Sequence, residues 1–375
     1  MGQNQFGIGI VGGGYMGKAH ATAFASVGVA FETHLKPRLF SVAASSLSSA
    51  ERYRDAFGYE RAAADWRAVI DDAEVDAVVI ASPQSTHREI AEAALAAGKH
   101  VLCEKPLGAT LADCEAMVAA AKAHPELINM VGFNYLRTPV SQHAINMVRD
   151  GRLGQIVSFR VDHAEDFLAD PATPANWRTE SMEAGTMGDL APHPIHCALS
   201  FMGPVQEVMA VVETVHAERP GQNGGRVVVT NDDQVNMILR FANGVTGTLH
   251  TSRVSTGTKM GLRYEIVGTE GTLRFDQEEQ NQLHFYNTQD APEERGFRRV
   301  LSGPQHPDYL MFNQGEGHGT GYVDQITMQA AAFLKSVETG KPASPSFQDG
   351  LTVTRICDAA LKSSETRSWQ NVDNS

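Results

Sequence analysis

Cysteine is scarce in this 375-residue chain: Cys103, Cys114, Cys197 and Cys357 are the only four, and no two fall at a Cys-x-x-Cys or comparable metal-ligand spacing. That scarcity excludes a disulfide-stapled scaffold and a zinc ribbon, and the four thiols read as reduced core residues. Long hydrophobic runs are missing too. No apolar stretch approaches the ~18 residues of a membrane span, and no basic region followed by an apolar one opens the chain, so a soluble cytoplasmic protein without a membrane partner is expected. Met1-Gly2 begins like a myristoylation signal, but Phe6 stands where Ser or Thr is wanted. Basic charge is in deficit, with 31 Lys+Arg against 44 Asp+Glu and a net charge of −13. A phosphate-backbone partner usually demands clustered cations, so nucleic acid is excluded as a partner. There is also no internal repeat and no low-complexity linker.

What is present points to two domains, since a single core rarely grows past ~250–300 residues. Phe6–Val11 reads as a strand, followed by Gly12-Gly13-Gly14-Tyr15-Met16-Gly17 and a helix-compatible Lys18–Ala25. This is G-x-G-x-x-G in the context it requires. The first glycine makes the tight turn, the second admits a pyrophosphate, and the third lets helix and strand pack closely. Gly12, Gly14, Tyr15, Met16 and Gly17 are therefore expected at a dinucleotide cofactor. The following Val27–Pro37 is read as a surface insertion.

Leu39–Ala44 is the second strand, and its end carries Ala44-Ser45-Ser46 where a ribose-reading acid is expected. Ser45 and Ser46 enter the cofactor set, with the alternative that they only begin the next helix, since Ser is a good N-cap. The cofactor is NAD or NADP, its 2′ group left open. Val75–Ala81 is a third buried strand, and Ser82, Pro83 and His87 beyond its end face either the cofactor or only a Ser-Pro turn. Val101–Cys103 completes another β-α-β crossover and delivers Glu104, Lys105 and Pro106 to its carboxyl end, where ligands collect in open α/β sheets. An X-Pro bond also pushes the residue before it out of helical geometry. Ile128–Phe133 is the fifth strand and ends in Asn134-Tyr135-Leu136-Arg137. The fold class is thus α/β: a Rossmann dinucleotide-binding domain over 1–140.

Beyond Gly151 the rhythm changes. Gln155–His163, Val205–His216, Gln234–Phe241, Val245–Ser252, Tyr264–Val267 and Thr272–Phe275 alternate or run apolar, with turns such as Asn243-Gly244 between them. They predict an α+β domain over 141–375 built on a large, mainly antiparallel open sheet. Helical patterns return at Tyr322–Glu338 and Gly350–Ser363, the last helix being free to pack back on the first domain. Gln305–Tyr322 is glycine-rich and aperiodic. Its alternating glycines around His318 suggest a histidine passed through a crowded place toward substrate, or a surface loop.

Asp189 and His193 stand four apart in Gly185–His196, so on a helix they share one face and the acid fixes the imidazole. Asp189 serves equally as an N-cap. A metal held by Asp189, His193 and His196 is the weaker reading, because no further ligand cluster accompanies them, and no metal is expected.

The glycine fingerprint, Glu104-Lys105-Pro106, Trp177-Arg178 and Asp189-x-x-x-His193, in this order, resemble the glucose–fructose oxidoreductase / inositol dehydrogenase / rhizopine catabolism family over essentially the whole chain. The resemblance is strongest to its scyllo-inositol, levoglucosan and L-glucose dehydrogenase-like members, through Gly317-His318-Gly319-x-Gly321-Tyr322. It implies catalysis by Lys105, Asp189 and His193 and hydride transfer between nicotinamide and a secondary alcohol of a sugar, anhydrosugar or inositol. Glu104, Asn134, Trp177 and Arg178 join the cofactor set on its strength, and Tyr135, Arg137, His163 and Asp166 join His318 in the substrate set. A homo-oligomer, dimer or tetramer, through the second domain's sheet is also implied. The rivals are a dinucleotide-binding regulator that kept the fold and lost the chemistry, and a family member acting on another cyclic substrate.

Overall fold

A computed structural model describes residues 4–181, 184–222 and 224–373. It divides into two compact units, Met1–Arg137 with Thr320–Thr354, and Thr138–Gly319 with Arg355–Ser375. No helix among the described residues is long and apolar enough to cross a membrane.

The first unit opens with β1 (Asn4–Val11), α1 (Tyr15–Ala30), β2 (Leu35–Ala43), α2 (Leu47–Phe57), β3 (Arg61–Ala63) and α3 (Arg67–Ile70). It continues with β4 (Ala77–Ile80), α4 (His87–Ala96), β5 (His100–Cys103), α5 (Leu111–Ala123) and β6 (Asn129–Val131). All six strands are parallel, in the order β3-β2-β1-β4-β5-β6. Strand order reverses beside β1, which opens a crevice at the carboxyl ends there. Val27–Pro37 is not an insertion. Helix α1 runs on to Ala30 because Val27 is buried in the core, and β2 already begins at Leu35.

The second unit contains α6 (Pro139–Arg149), β7 (Ile156–Ala164), α7 (Trp177–Glu180), α8 (Thr186–Asp189), α9 (Pro192–Met202) and β8 (Val205–Glu213). After the hairpin β9 (Glu218–Pro220) and β10 (Arg226–Val228) come β11 (Gln234–Phe241), β12 (Thr246–Ser252) and β13 (Gly261–Gly268). Strands β14 (Gly271–Asp276), β15 (Gln282–Asn287) and β16 (Arg298–Leu301) complete it, before α10 (Tyr322–Thr339), α11 (Phe347–Thr366) and β17 (Gln370–Asn371). Nine strands form one sheet, β16-β15-β14-β13-β7-β12-β11-β8-β17, antiparallel except where β7 meets β12. Period-two burial sets its two faces. Val235, Met237, Leu239 and Phe241 are buried along β11 while Asn236, Ile238 and Arg240 are exposed. Phe159 packs on Phe201 of α9 and Phe241, and the opposite face carries a cross-strand ladder of Arg160, Glu265 and Arg274.

The division of the chain corrects the expected boundary, because 320–354 belongs with the first unit rather than the second. Ile326, Ala330, Phe333 and Leu334 on one side of α10 enter the same core as Phe24 and Val27 of α1, with Phe24 edge-on to Phe333 at 6.5 Å. The unit boundary then falls inside α11.

Candidate active site

In the first unit the glycine loop joins β1 to α1 at the sheet's crevice. Gly12 has φ +105°, and a Cβ there would stand 2.3 Å from the Ala81 carbonyl oxygen. A Cβ on Gly17 would stand 2.0 Å from the Gly12 oxygen. Gly14 differs: a Cβ on it meets nothing within 4 Å. It is the N-cap of the 16-residue α1, without a side-chain cap and with no acidic residue in the first turn. The loop is therefore closed toward the protein and open at the helix amino terminus, which fits the pyrophosphate of a dinucleotide. Tyr15 is 69% exposed beside it, and Met16 is half-buried. Sequence reasoning missed Tyr53, whose ring lies so close over Gly13 that any Cβ there would collide with it. At the end of β2, Ser45 is exposed, and Ser46 caps α2 by accepting the Ser49 N–H at 3.3 Å, so for Ser46 the helix-cap alternative describes the structure.

Lys105 follows β5, and its bond to Pro106 is cis. The residues around it are pinned. His87 Nδ1 faces the carbonyl oxygens of Pro106 and Leu107 at 3.1 and 3.2 Å, and its Nε2 faces that of Ser82 at 3.0 Å. Burial pushes the His87 imidazole pKa down. His87 is thus turned inward between two strand-end loops, and its neutral ring donates to a backbone oxygen from one nitrogen only; of the two alternatives for this segment, the turn describes its contacts. Ser82 Oγ pairs with Thr86 Oγ1 at 2.7 Å, and Pro83 is exposed. On the other side of Lys105, buried Glu104 meets His20 of α1 at 2.7 Å.

Past β6, buried Asn134 reaches Gln325, and Tyr135 lies 5.9 Å from the ring of Tyr322, which in turn stacks on Tyr15 at 6.1 Å. Burial and then Glu104 push the Tyr322 phenol pKa up. Arg137, expected at substrate, donates from one guanidinium nitrogen to the Ser344 carbonyl at 2.5 Å.

In the second unit Asp189 closes α8 and His193 lies in the first turn of α9, so the two do not share one continuous helix. Pro192 begins α9 and has no N–H to bond back into α8. Asp189 is consequently not an N-cap. His193 is buried, with its ring 5.2 Å from that of His163 at 69°. His163 Nδ1 lies 3.3 Å from the Leu190 carbonyl, the same oxygen that accepts the His193 N–H. Arg178 approaches Asp189 at 3.7 Å and stacks over Trp177, which is 62% exposed. The structure thus brings Trp177, Arg178 and Asp189 together, and His163 with His193.

Asp166 and His318 are placed by contacts of their own. Asp166 is engaged by Lys259 at 2.7 Å and by the Gly257 N–H, an ion pair and hydrogen bond that hold its carboxyl below the usual range. His318 is exposed, and its carbonyl oxygen and that of Gly315 both lie 2.6 Å from the buried Tyr309 hydroxyl, which has one proton to share between them. The aperiodic loop is thereby anchored.

A further hub had no sequence signal. Buried Arg253 reaches Asp233 at 2.9 Å, the carbonyls of Arg178 and Ala184 at 2.7 and 3.0 Å, and Asn231 Oδ1 at 2.6 Å. Asp232 accepts the Met187 N–H at 2.7 Å, and burial pushes its carboxyl pKa up. This network sets the backbone that carries Arg178 and Asp189.

A family model described as an oxidoreductase family with an NAD-binding Rossmann fold matches residues 6–167, and the GFO/IDH/MocA C-terminal domain matches 141–274. The levoglucosan dehydrogenase of Pseudarthrobacter phenanthrenivorans is 38% identical over 97% of each chain. The chain belongs to the GFO/IDH/MocA family. It is an NAD-binding oxidoreductase. The myo-inositol 2-dehydrogenase of Thermotoga maritima is another relative of this GFO/IDH/MocA chain, 27% identical over 96% of each. A solved levoglucosan dehydrogenase in complex with NADH and levoglucosan is similar with a TM-score of 0.95 and 37% identity, covering 99% of this chain and all of that one.

Proposed function

We propose that this enzyme oxidises a secondary alcohol of an anhydrosugar, sugar or inositol, with Lys105, Asp189 and His193 as the catalytic residues. Supporting the chemistry is one placement: a lysine at the carboxyl end of β5, in the sheet whose glycine loop is shaped for a dinucleotide. Supporting the substrate class is full-length likeness to levoglucosan dehydrogenase. Bound NAD supplies the hydride acceptor. The Lys105 ammonium favours negative charge on the substrate oxygen, a stabilisation worth ~3–4 kcal/mol per donor. His193 takes the hydroxyl proton, as an imidazole suits a base near neutral pH, and Asp189 orients it or holds a neighbouring hydroxyl. The test is NADH formation with levoglucosan, aldoses and inositols. Absence of turnover across all three classes would sink the proposal.

Two finer points belong to it. The end of β2 offers Ala44 and exposed Ser45 rather than an acid, so NADP is proposed to be tolerated; Ala44→Glu should shift preference toward NAD, because a carboxylate accepts from the ribose hydroxyl and repels a 2′-phosphate. A homo-oligomer is proposed through the sheet face that carries Arg160, Ile238 and Arg274. Light scattering that gives a monomer mass would overturn that part.

A further inference from the structure

Glu104 and His20 form a buried pair that the reaction outlined above does not use. His20 is 1% and Glu104 6% exposed, and Nε2 lies 2.7 Å from Oε1. Among the described residues His20 Nδ1 has no hydrogen-bond partner, so the ring commits only its Nε2 side, as donor to the carboxylate. The neighbouring strand makes room for this carboxylate. A Cβ at Gly132, just after β6, would fall 2.7 Å from Oε1.

Such a pair is a poor device for stability alone, since desolvating the two groups offsets most of their attraction and an apolar pair of equal volume would serve as well. What it does supply is a fixed relation between two elements. His20 sits three residues beyond Gly17 in the helix that follows the glycine loop, and Glu104 is the residue before Lys105. On the far side, His87 holds the Pro106 and Leu107 carbonyls from the helix that follows the β4 loop. The backbone from 104 to 107 is thereby tied on both sides to helices that begin at the dinucleotide crevice.

We propose that the His20–Glu104 pair is a positioning device that sets Lys105 relative to the dinucleotide site. It rests on the role proposed for Lys105 and acts through it. Misplacing a catalytic group by about an ångström costs up to ~100-fold in rate, so His20→Leu should lower kcat ~10–100-fold while the Kd for NADH, read by fluorescence, moves less than ~3-fold. His20→Gln keeps an N–H near the carboxylate and should restore most of the loss.

The deciding measurement repeats His20→Leu in a Lys105→Ala background with NAD and levoglucosan. Expected is no further loss there, because an effect that runs through Lys105 vanishes with it. Equal loss in both backgrounds, or His20→Leu turning over like wild type, overturns the proposal. Should His20→Leu not fold, Glu104→Leu, which removes the acceptor that His20 Nε2 meets, is measured in the same two backgrounds under the same criteria. Normal turnover by Lys105→Ala alone would instead overturn the proposed role of the lysine, so the two failures are distinct.

Discussion

Gly14 and Gly17 answer to different constraints, and substitution should separate them. Gly17→Ala forces a Cβ against the Gly12 carbonyl and should lower the melting temperature. Gly14→Val adds its side chain to open space, so the fold should hold while NADH affinity drops ~10-fold or more at the pyrophosphate. Titration by fluorescence beside thermal denaturation reads both, and unchanged NADH binding by a folded Gly14→Val would remove the loop from the cofactor site. Lys105→Ala should lose ~100-fold or more in kcat with cofactor affinity nearly unchanged, as a group acting on the substrate oxygen requires. The fingerprint and Glu104-Lys105-Pro106 were legible because each glycine or lysine sits at a strand end that an apolar run announces. Tyr53, His20 and Arg253 were not, since a tyrosine or a histidine inside an ordinary helix, or an arginine just past a strand end, carries no local mark of the distant backbone it meets.

At the level of elements, the α8–α9 break and its support decide where Asp189 and His193 sit. The four-residue spacing puts the two on one face only if one helix runs through the segment, and Pro192 marks a new helix start instead. Arg253 holds the carbonyls of Arg178 and Ala184, so Arg253→Met should leave Asp233 as an uncompensated buried charge and destabilise the second unit by ~3–5 kcal/mol. Urea denaturation checks it, and a loss under ~1 kcal/mol would mean that Asp233 is satisfied by its other donors, the Val215 and His216 N–H groups. The strands of the large sheet were legible from period-two alternation, whereas β15 and β16 were not, lying in a polar stretch without a sustained apolar run.

For the molecule as a whole, four of the described histidines contribute to the response to acid. Burial lowers the imidazole pKa of His87, His100, His143 and His306 below 6.5. For two of them the geometry gives a second reason: His100 Nδ1 accepts the Ile128 N–H and His306 Nδ1 the Gly303 N–H, both at 2.9 Å, and neither can do so once protonated. Below 6.5 the unfolded chain then binds protons that the folded one refuses. Stability from these groups is therefore present above pH 6.5 and lost as pH falls below it. Melting temperature should decline from pH 7 toward pH 5, and His306→Gln should flatten part of that decline. A melting temperature that is level or rising across this range would contradict the assignment.

The return of Thr320–Thr354 to the first unit also sets a clock on synthesis. Val27 and Phe24 leave the ribosome roughly 300 residues ahead of Ile326 and Phe333, and at ~5–20 residues per second the nascent sheet waits on the order of 15–60 s for its covering helix. Over that interval the apolar residues that α10 covers in the folded chain should stay open to solvent. A gene stopped after Gly319 should accordingly yield aggregate, while one that joins residue 137 to 320–354 through a short linker should yield a soluble module that still binds NADH.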